Sequence, residues 1–388
     1  MSGNKKIIHF LSASDRINYG DLLFPIIFKK MLKIYNIEAE FYNYGIVKSD
    51  LSHFGALPTK SYKKFQEEVN KNKGNIVVGG GEVFFANWRT LYSFINPYYA
   101  HLLKFEIFKK LDEKINFPKR LLSKDSSMSP FVPLKNNSKL FFSSVGGRFY
   151  GKTDNNKYIA NLLEEADFIS VRDKRTKNSL KEYNVDSILV PDSAILMSDL
   201  FSIEFLKSKT SSNLIFDNKD YLLLQVGINK GPENLKDFAS QILKQATKLK
   251  LEIILCPIGM APNHEDHKIL NEMAKISDSF NLVIPKGIYE IMYLIARSKI
   301  FVGTSLHGII TAQSFNRPFV ALNRKVVKSK VYISTWMPAY QDYNLDFTEI
   351  NKLSTLMNKW SSNALVRYTR EQKLMVSKNL TLIFSNLI

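Results

Sequence analysis

The sequence predicts an α/β protein with two Rossmann-like, doubly wound domains, and three observations support this fold class. Its 388 residues exceed the size at which one hydrophobic core stops growing, so two domains are expected. Short apolar segments alternate with helical patterns along most of the chain. A Ser/Lys/Asn-rich segment at residues 200–219 divides this alternation into two series. Two such series joined by a linker predict two parallel sheets whose carboxyl edges face a cleft, which is the GT-B architecture.

Each predicted strand is a short apolar run that ends in a glycine or a polar turn. The strands cover residues 5–12, 39–44, 75–78, 139–144, 167–171, 187–190, 221–226, 252–256, 281–284, 300–302 and 319–322. The helices cover residues 22–35, 60–71, 232–248, 266–276, 288–297, 307–315, 351–360 and 366–387.

The predicted domain organisation follows from these elements. Residues 1–199 form the first domain, with a basic and aromatic insert at 88–137, and residues 220–349 form the second. Residues 200–219 form the linker between them. The helical patterns in 350–388 are expected to pack back on the first domain.

Composition argues against a membrane-spanning or disulfide-bonded protein and leaves open what the positive net charge binds. The chain is 45% hydrophobic and 23% charged, which is ordinary for a globular protein, and no run of about 18 apolar residues predicts a membrane span. The single cysteine, Cys256, excludes an internal disulfide and fits a reducing cytoplasm. The net charge of +18 favours an anionic partner, either a phosphate-bearing molecule or an acidic membrane face. No nucleic-acid-binding motif is present, and a Lys-rich genome composition is the alternative explanation.

The segment 301–318 is the strongest candidate for a site in the second domain. A strand runs into Gly303-Thr304-Ser305, and His307 stands at the start of the following helix. Ligands bind at the carboxyl ends of such strands, where helix N-termini attract anions. Thr304, Ser305 and His307 are therefore candidate site residues. The alternative is that Ser305 only caps the helix and His307 faces solvent.

Three strand ends of the first domain carry similar signals. Asn18, Gly20 and Asp21 follow the first strand, although Asp21 also fits an ordinary helix cap. The glycines after the third strand, Gly79 to Gly81, require either unusual backbone angles or a close approach of the backbone to another group.

Later strands of this domain end in charged side chains. Arg148, Arg172 and Asp192 each follow a strand, and arginine suits the capture of carboxylate or phosphate groups. The alternative for Arg172 is an ion pair with Asp173 or Asp192, and the two roles can coexist.

The insert at 88–137 has two interpretations. Aromatic and basic residues interleave in it, as at Phe105, Phe108-Lys109-Lys110 and Phe117-Pro118-Lys119-Arg120. Such a segment can lie on an anionic membrane interface. The alternative is a helical insert packed on its own domain, followed by a Ser/Pro-rich loop.

Taken in order, these motifs resemble the polysaccharide pyruvyl transferase family. The resemblance rests on Asn18-x-Gly20-Asp21, Gly79-Gly80-Gly81, Val171-Arg172-Asp173, Pro191-Asp192, and Ser305-Leu306-His307-Gly308 with Pro318 downstream. It spans roughly residues 5–322 and leaves out the insert and the C-terminal tail. It implies a GT-B-like fold and transfer of pyruvate from phosphoenolpyruvate to a sugar of a cell-surface polysaccharide or its lipid-linked precursor. The second domain would bind the donor and the first domain the acceptor.

The resemblance also implies roles for individual residues. His307 would be the acid/base and Arg172 the anion clamp. Ser305, Thr304 and Gly308 would support the phosphate at the helix N-terminus.

On the acceptor side, Asp21 would be either a hydrogen-bond acceptor for a sugar hydroxyl or a base, with Asn18, Gly80 and Gly81 lining the substrate. Several family members carry Arg where this chain has Ser305, so another cation is needed for the donor. Arg148, Lys152 and Lys230 are the candidates for it.

This chemistry requires no cofactor and no metal, because phosphoenolpyruvate is itself the donor. His264, Asp266 and His267 could ligate a metal by composition, but this spacing more often caps a helix.

Two other functions remain open. One is a glycosyltransferase that uses a nucleotide-sugar on the same scaffold. The other is a non-catalytic member of a polysaccharide assembly complex held at an anionic membrane by its basic face. The expected location is the cytoplasm, with peripheral contact at the inner membrane face left open.

Overall fold

The computed structural model describes residues 5–84, 86–124, 129–149, 151, 153–217, 219–262, 264–339 and 343–388. The chain divides into two compact units, each containing one six-stranded parallel sheet with helices. The first unit comprises Met1–Ile17, Asp21–Ser193 and Leu374–Ile388, and the second comprises Asn18–Gly20 and Ala194–Lys373. The predicted fold class, two Rossmann-like α/β domains, is confirmed.

The elements of the first unit begin with a buried strand and follow a strand–helix alternation up to the insert, which contains four helices. They are β1 (Lys6–Leu11), α1 (Tyr19–Ile34), β2 (Ala39–Tyr44), α2 (Tyr62–Lys71), β3 (Asn75–Gly79), α3 (Trp88–Ser93), α4 (Pro97–Leu102), α5 (Glu106–Ile115), α6 (Phe117–Leu122), β4 (Lys139–Val145), α7 (Asp154–Glu164), β5 (Phe168–Val171), α8 (Lys174–Lys181) and β6 (Ile188–Leu189). The first residues of α1 belong to the second unit.

The second unit continues the alternation, and its last helix runs back into the first unit. Its elements are α9 (Met197–Leu200), α10 (Ile203–Ser208), β7 (Tyr221–Gln225), α11 (Leu235–Leu249), β8 (Glu252–Leu255), α12 (Asp266–Ala274), β9 (Phe280–Leu282), α13 (Ile288–Arg297), β10 (Ile300–Gly303), α14 (Leu306–Ser314), β11 (Phe319–Leu322), α15 (Val327–Trp336), β12 (Asn344–Leu345), α16 (Leu353–Asn358) and α17 (Ser362–Ser385).

The strand order in each sheet reverses at one point. The first sheet has the order β2-β1-β3-β4-β5-β6, so the chain turns from one side of β1 to the other between β2 and β3. The second has the order β12-β11-β10-β7-β8-β9, and its reversal lies between β7 and β10. In open parallel sheets the ligand binds at this switch point, beyond the carboxyl ends of the two strands. The loops after β1, β3, β7 and β10 are therefore where a site is expected.

The strands themselves form the cores because both faces of each sheet are covered by helices. Ile8, Val77 and Phe141 of the first sheet, and Leu223 and Val302 of the second, are fully buried. The final residues of the chain join the first core. Phe384 packs edge-on against Phe28, and Asn75 bonds to the backbone of the terminal Ile388.

The segment predicted as a linker is folded as part of the second unit. Helix α10 begins at the Ser202 cap and buries Leu206. The Ser211 hydroxyl donates to Glu290 of α13 at 2.6 Å. A short helix with one buried side chain carries too weak an apolar period to be recognised in sequence. Helix α15 and the two-residue strand β12 are likewise not among the predicted elements, because α15 has no consistent apolar face and β12 is too short for a recognisable pattern.

Candidate active site

The turn between β10 and α14 places His307 in the first turn of a capped helix. Ser305 is the N-cap, and its hydroxyl accepts from the Gly308 amide at 3.2 Å. The structural role foreseen for Ser305 is thereby confirmed. Gly308 has a packing reason as well, because a Cβ atom there would lie 2.3 Å from the Phe301 ring. His307 is half-buried, and the Nε2 atom of its ring is buried.

Thr304 is fully buried and joins the ends of β10 and β7. Its amide donates to the Gln225 side chain at 3.0 Å, and its hydroxyl accepts from the Gly227 amide at 2.9 Å. The two strand ends on either side of the switch point are therefore locked to each other. Thr304 shapes the site through these bonds.

Asp266, at the start of α12, completes this network. Its carboxylate accepts from the Gln225 amide group at 2.8 Å and from the backbone amide of Gly259 at 2.9 Å. Burial raises the pKa of Asp266, and these hydrogen bonds oppose the rise. Among the described residues, no three His, Cys, Asp or Glu side chains gather as metal ligands. Asp266, weighed in the sequence as a metal ligand, is a hydrogen-bond acceptor here.

Two lysines provide positive charge at the same sheet edge. Lys230 ends the short helical turn Ile228–Lys230 after β7, and its side chain passes Gly227 close to Thr304 and Asp266. Burial and the neighbouring charge of Lys328 lower the pKa of Lys230, while Asp266 opposes this. In the described part of the chain, neither lysine has a carboxylate within ion-pair distance. Such a pair of ammonium groups favours a bound anion.

The tripeptide Asn18–Gly20 lies against His307 in the second unit. Asn18 forms a backbone bridge with Gly259, whose amide donates to the Asp266 carboxylate. The buried Tyr19 hydroxyl lies 2.9 Å from Thr311 Oγ1, and Thr311 in turn donates to the His307 carbonyl at 2.6 Å. A Cβ atom on Gly20 would lie only 1.8 Å from His307 Nδ1. The absent side chain at Gly20 therefore leaves the space that the imidazole ring occupies.

The glycine turn of the first unit lies at the switch point of its own sheet. Gly80 and Gly81 have positive φ angles of 66° and 74°. A Cβ atom on Gly80 would lie 2.2 Å from the Phe24 ring, whereas one on Gly81 would meet only Asp21 Oδ1, at 3.7 Å. Both explanations given for the glycines apply, since the backbone is left-handed and a ring approaches closely. The half-buried Asp21, in the first turn of α1, thus stands beside the Gly81 backbone.

Arg172 is buried within an ion-pair network of the first unit. Its guanidinium donates to Asp192 and to Glu82, both at 3.0 Å, and Arg175 also donates to Glu82. Burial alone would lower the pKa of Arg172, but Glu82, Asp192 and Asp173 outweigh it and raise the pKa. The geometry therefore favours the ion-pair explanation with Asp192 over an anion clamp.

The other two cation candidates of the first unit are Arg148 and Lys152. Arg148, after β4, is exposed. Lys152 lies outside the described residues.

The structure brings together a larger group than the sequence indicated. The predicted residues Asn18, Thr304, Ser305, His307 and Lys230 all lie in the second unit, beyond β7 and β10 or, for Asn18, immediately before α1. Tyr19, Gln225, Asp266 and Lys328 join them. Gln225 is the next-to-last residue of the predicted strand 221–226 and the last residue of β7, so a polar side chain near a strand end was the available signal. Lys328 gave no signal, because helix α15 had not been recognised.

Comparison with known proteins identifies one family. The family model described as polysaccharide pyruvyl transferase matches residues 18–325. No curated protein sequence matches the chain.

Solved structures share the fold at low sequence identity. A putative UDP-N-acetylglucosamine 2-epimerase from Listeria monocytogenes superposes with a TM-score of 0.55 and 11% identity, covering 98% of this chain and 96% of that one. The UDP-GlcNAc 2-epimerase from Methanocaldococcus jannaschii gives 0.52 and 14%, covering 94% and 98%. The MnaA protein of S. aureus, solved with UDP, gives 0.50 and 13%, covering 96% and 94%. At such identities the likeness concerns the fold alone.

Proposed function

The chain belongs to the polysaccharide pyruvyl transferase family, and from that premise we propose that it transfers the pyruvyl group of phosphoenolpyruvate to two hydroxyls of a sugar, forming a ketal. The acceptor is a capsule or exopolysaccharide sugar, or its lipid-linked precursor. The observation that carries the proposal is the arrangement at three neighbouring strand ends, where His307 follows β10, Lys230 follows β7 and Lys328 follows β11. Among the described residues, neither lysine has a carboxylate within ion-pair distance, and the charge of Lys328 lowers the pKa of Lys230. This edge has what an anionic donor and a proton-transfer reaction require.

The donor carries a phosphate and a carboxylate, so binding it requires positive charge. We assign this charge to Lys230 and Lys328, with the N-terminus of α14 and Ser305 as further support. Lys230 is held by its backbone, since its carbonyl accepts from the Asn323 side chain at 3.1 Å. These groups favour departure of the phosphate because they stabilise the charge that develops on it.

The reaction needs one group that moves protons, and we assign it to His307. Histidine side chains titrate near neutral pH and can both give and take a proton. Protonation of the enol carbon converts CH₂ to CH₃ and makes the central carbon electrophilic. Two sugar hydroxyls then form C–O bonds to it, and the C–O bond to phosphate breaks. One hydroxyl proton balances the new C–H bond and the other leaves with phosphate. No cofactor or metal enters this scheme.

For the acceptor we propose Asp21 and the Gly80–Gly81 backbone of the first unit. The half-buried Asp21 carboxylate, which lies beside the half-buried Gly81, can accept the hydrogen bonds of a sugar hydroxyl. Arg148, exposed after β4, would add positive charge toward a phosphorylated precursor. We place the protein in the cytoplasm, where phosphoenolpyruvate is made and Cys256 stays reduced.

Phosphoenolpyruvate is expected to raise the melting temperature of the protein by several degrees, because a ligand that binds only the native state stabilises it by mass action. The Lys230→Ala variant should lose this shift, whereas the matched Lys244→Ala variant, altered at an exposed position of α11, should keep it. Thermal unfolding monitored by circular dichroism, with UDP- and GDP-sugars as further ligands, measures both. Stabilisation by a nucleotide-sugar alone would contradict the proposal and support the glycosyltransferase alternative.

Substitution of Gly20 by alanine should reduce transfer about a hundredfold, because the new methyl group must displace the His307 ring. The three nearest atoms that the new methyl group meets all belong to the His307 side chain and none to the backbone, so the fold should survive and the melting temperature should change little. Steady-state rates of pyruvate incorporation measure the loss. Gly151→Ala is the matched control. At the φ angle of 65° that residue 151 adopts, alanine costs about 1 kcal/mol of folding free energy, but the added Cβ atom meets nothing within 4 Å. Full activity of Gly20→Ala would show that the ring position does not matter.

A further inference from the structure

We propose that helices α4 to α6 of the insert form a docking surface for an anionic phospholipid membrane. The inference deepens the proposed function, on which it rests for the lipid-linked acceptor. The proposed surface is the exposed side of residues 98–121. Within it lie seven of the seventeen large hydrophobic side chains that stand exposed in the described chain, although it contributes only a small part of the sequence. They are Tyr98, Leu102, Phe105, Ile107, Leu111, Phe117 and Leu121.

The inner side of this segment is firmly packed, so its exposed apolar residues do not reflect a loose fold. The buried carboxylate of Asp112 accepts from Arg89 at 2.7 Å and from the Phe117 amide at 2.9 Å. Tyr99 donates to the same carboxylate. The buried Trp88 ring packs edge-on against Tyr62 of α2 at 4.9 Å between centroids. Asp112 thus ties α3, α4, α5 and α6 together.

The outer side of α5 combines apolar and basic groups. Ile107 is 86% exposed and Leu111 is 53% exposed, and the two stand one turn apart on the same face. Lys110 and Lys114 share that face by helical spacing, and both are exposed. Helices with this mixture lie in membrane interfaces, with the apolar side chains inserted and the lysine stems reaching toward the headgroups.

The positive charge of the exposed side of residues 98–121 favours an anionic membrane as its binding partner. The exposed basic residues of the segment are Lys104, Lys109, Lys110, Lys114 and Arg120. Its acidic residues are Glu106, Asp112 and Glu113, of which Asp112 is buried and Glu106 pairs with Lys109. The exposed side is therefore positive, and juxtaposed lysines attract anionic lipid headgroups. Exposed tyrosine and phenylalanine rings, as at Tyr98 and Phe105, suit the headgroup level.

No described helix is both long enough and apolar enough to cross a bilayer. The contact proposed for α4–α6 is therefore a peripheral one at the membrane surface. This surface would hold the enzyme where a lipid-linked sugar is presented.

The experiment is co-sedimentation of the full chain with phosphatidylcholine vesicles that contain phosphatidylglycerol. The wild type should bind these vesicles and should bind pure phosphatidylcholine vesicles at least tenfold more weakly, with binding that falls as salt rises. The Lys110→Glu/Lys114→Glu variant should lose at least tenfold in partition. Its matched control is Lys244→Glu/Lys248→Glu on α11, which has the same spacing, exposure and charge change.

The apolar contribution is tested by Ile107→Ser/Leu111→Ser, which should lose about tenfold in partition. The matched control is Leu374→Ser/Leu382→Ser on α17, where both leucines are about half exposed. Circular dichroism verifies the fold of every variant.

Several outcomes would overturn the inference. These are absence of wild-type binding, equal binding to neutral vesicles, or an equal loss in the α11 control. A dimer in solution that the Ile107→Ser/Leu111→Ser variant dissolves would assign the surface to a second copy of the chain instead. Because the vesicles contain no sugar and no phosphoenolpyruvate, vesicle binding and donor stabilisation can fail separately.

Discussion

The His307→Gln variant is expected to transfer pyruvate about a hundred- to ten-thousandfold more slowly than the wild type, because glutamine cannot give or take a proton. Its amide is similar in size to the imidazole, so the contacts with the Gly20 backbone and the first turn of α14 should persist. The loss should therefore appear in kcat, while stabilisation by phosphoenolpyruvate remains within about twofold of the wild-type shift. Release of phosphate and incorporation of pyruvate into the sugar acceptor are the two readouts.

The control for this variant is His53→Gln. His53 is exposed in the first unit, in the short helical turn Ser52–Phe54, and takes no part in the proposed site. It should keep the full transfer rate. A His307→Gln variant that is folded and equally fast would place the proton-transfer group elsewhere. If that variant lost donor stabilisation as well, His307 would be assigned to binding.

The Arg172→Ala variant is expected to lose about 3–5 kcal/mol of unfolding free energy, because it removes a buried positive charge that forms ion pairs with two carboxylates. Asp192 is fully buried, and Glu82 would keep its ion pair with Arg175. Urea denaturation followed by circular dichroism measures the change. Arg172→Lys should recover part of the loss, since one ammonium group can satisfy one carboxylate.

Arg175→Ala is the matched control for this experiment. Arg175 shares Glu82 with Arg172 but is more accessible, so its loss should cost about 1 kcal/mol. An Arg172→Ala variant of wild-type stability that no longer responds to phosphoenolpyruvate would contradict the structural assignment. It would instead support the anion clamp that the family resemblance implied.

Most residues of the candidate site that follow a strand can be identified from the sequence alone. The sequence indicated His307 and Ser305, because a strand, a turn and a helix leave a visible pattern and because polar residues at strand ends are informative. It also indicated Asn18 and Gly20, but not that Gly20 clears the space for the His307 ring. That relation joins residues 287 positions apart in number, and no local pattern encodes such a distance.

Arg172 shows the opposite case, in which a sequence signal has two meanings. An arginine after a strand can hold a ligand or neutralise a carboxylate, and both explanations were open. The choice depends on Glu82, which approaches from the turn after β3. Only the folded sheet brings β3 and β5 to either side of β4 and makes the guanidinium inaccessible.

The sequence by itself determined the fold class, the positions of most strands and the family, because apolar periodicity, turn residues and ordered motifs are local properties of the chain. The tertiary structure alone decided which polar groups lie together. It placed Lys230 close enough to Lys328 for their charges to interact, and it joined Asp266 and Thr304 through Gln225 in one hydrogen-bond network. It also left apolar and basic side chains exposed on the outer faces of α4–α6. Burial, pKa and ion pairing depend on neighbours from distant parts of the chain, and those neighbours are fixed only when the sheets form.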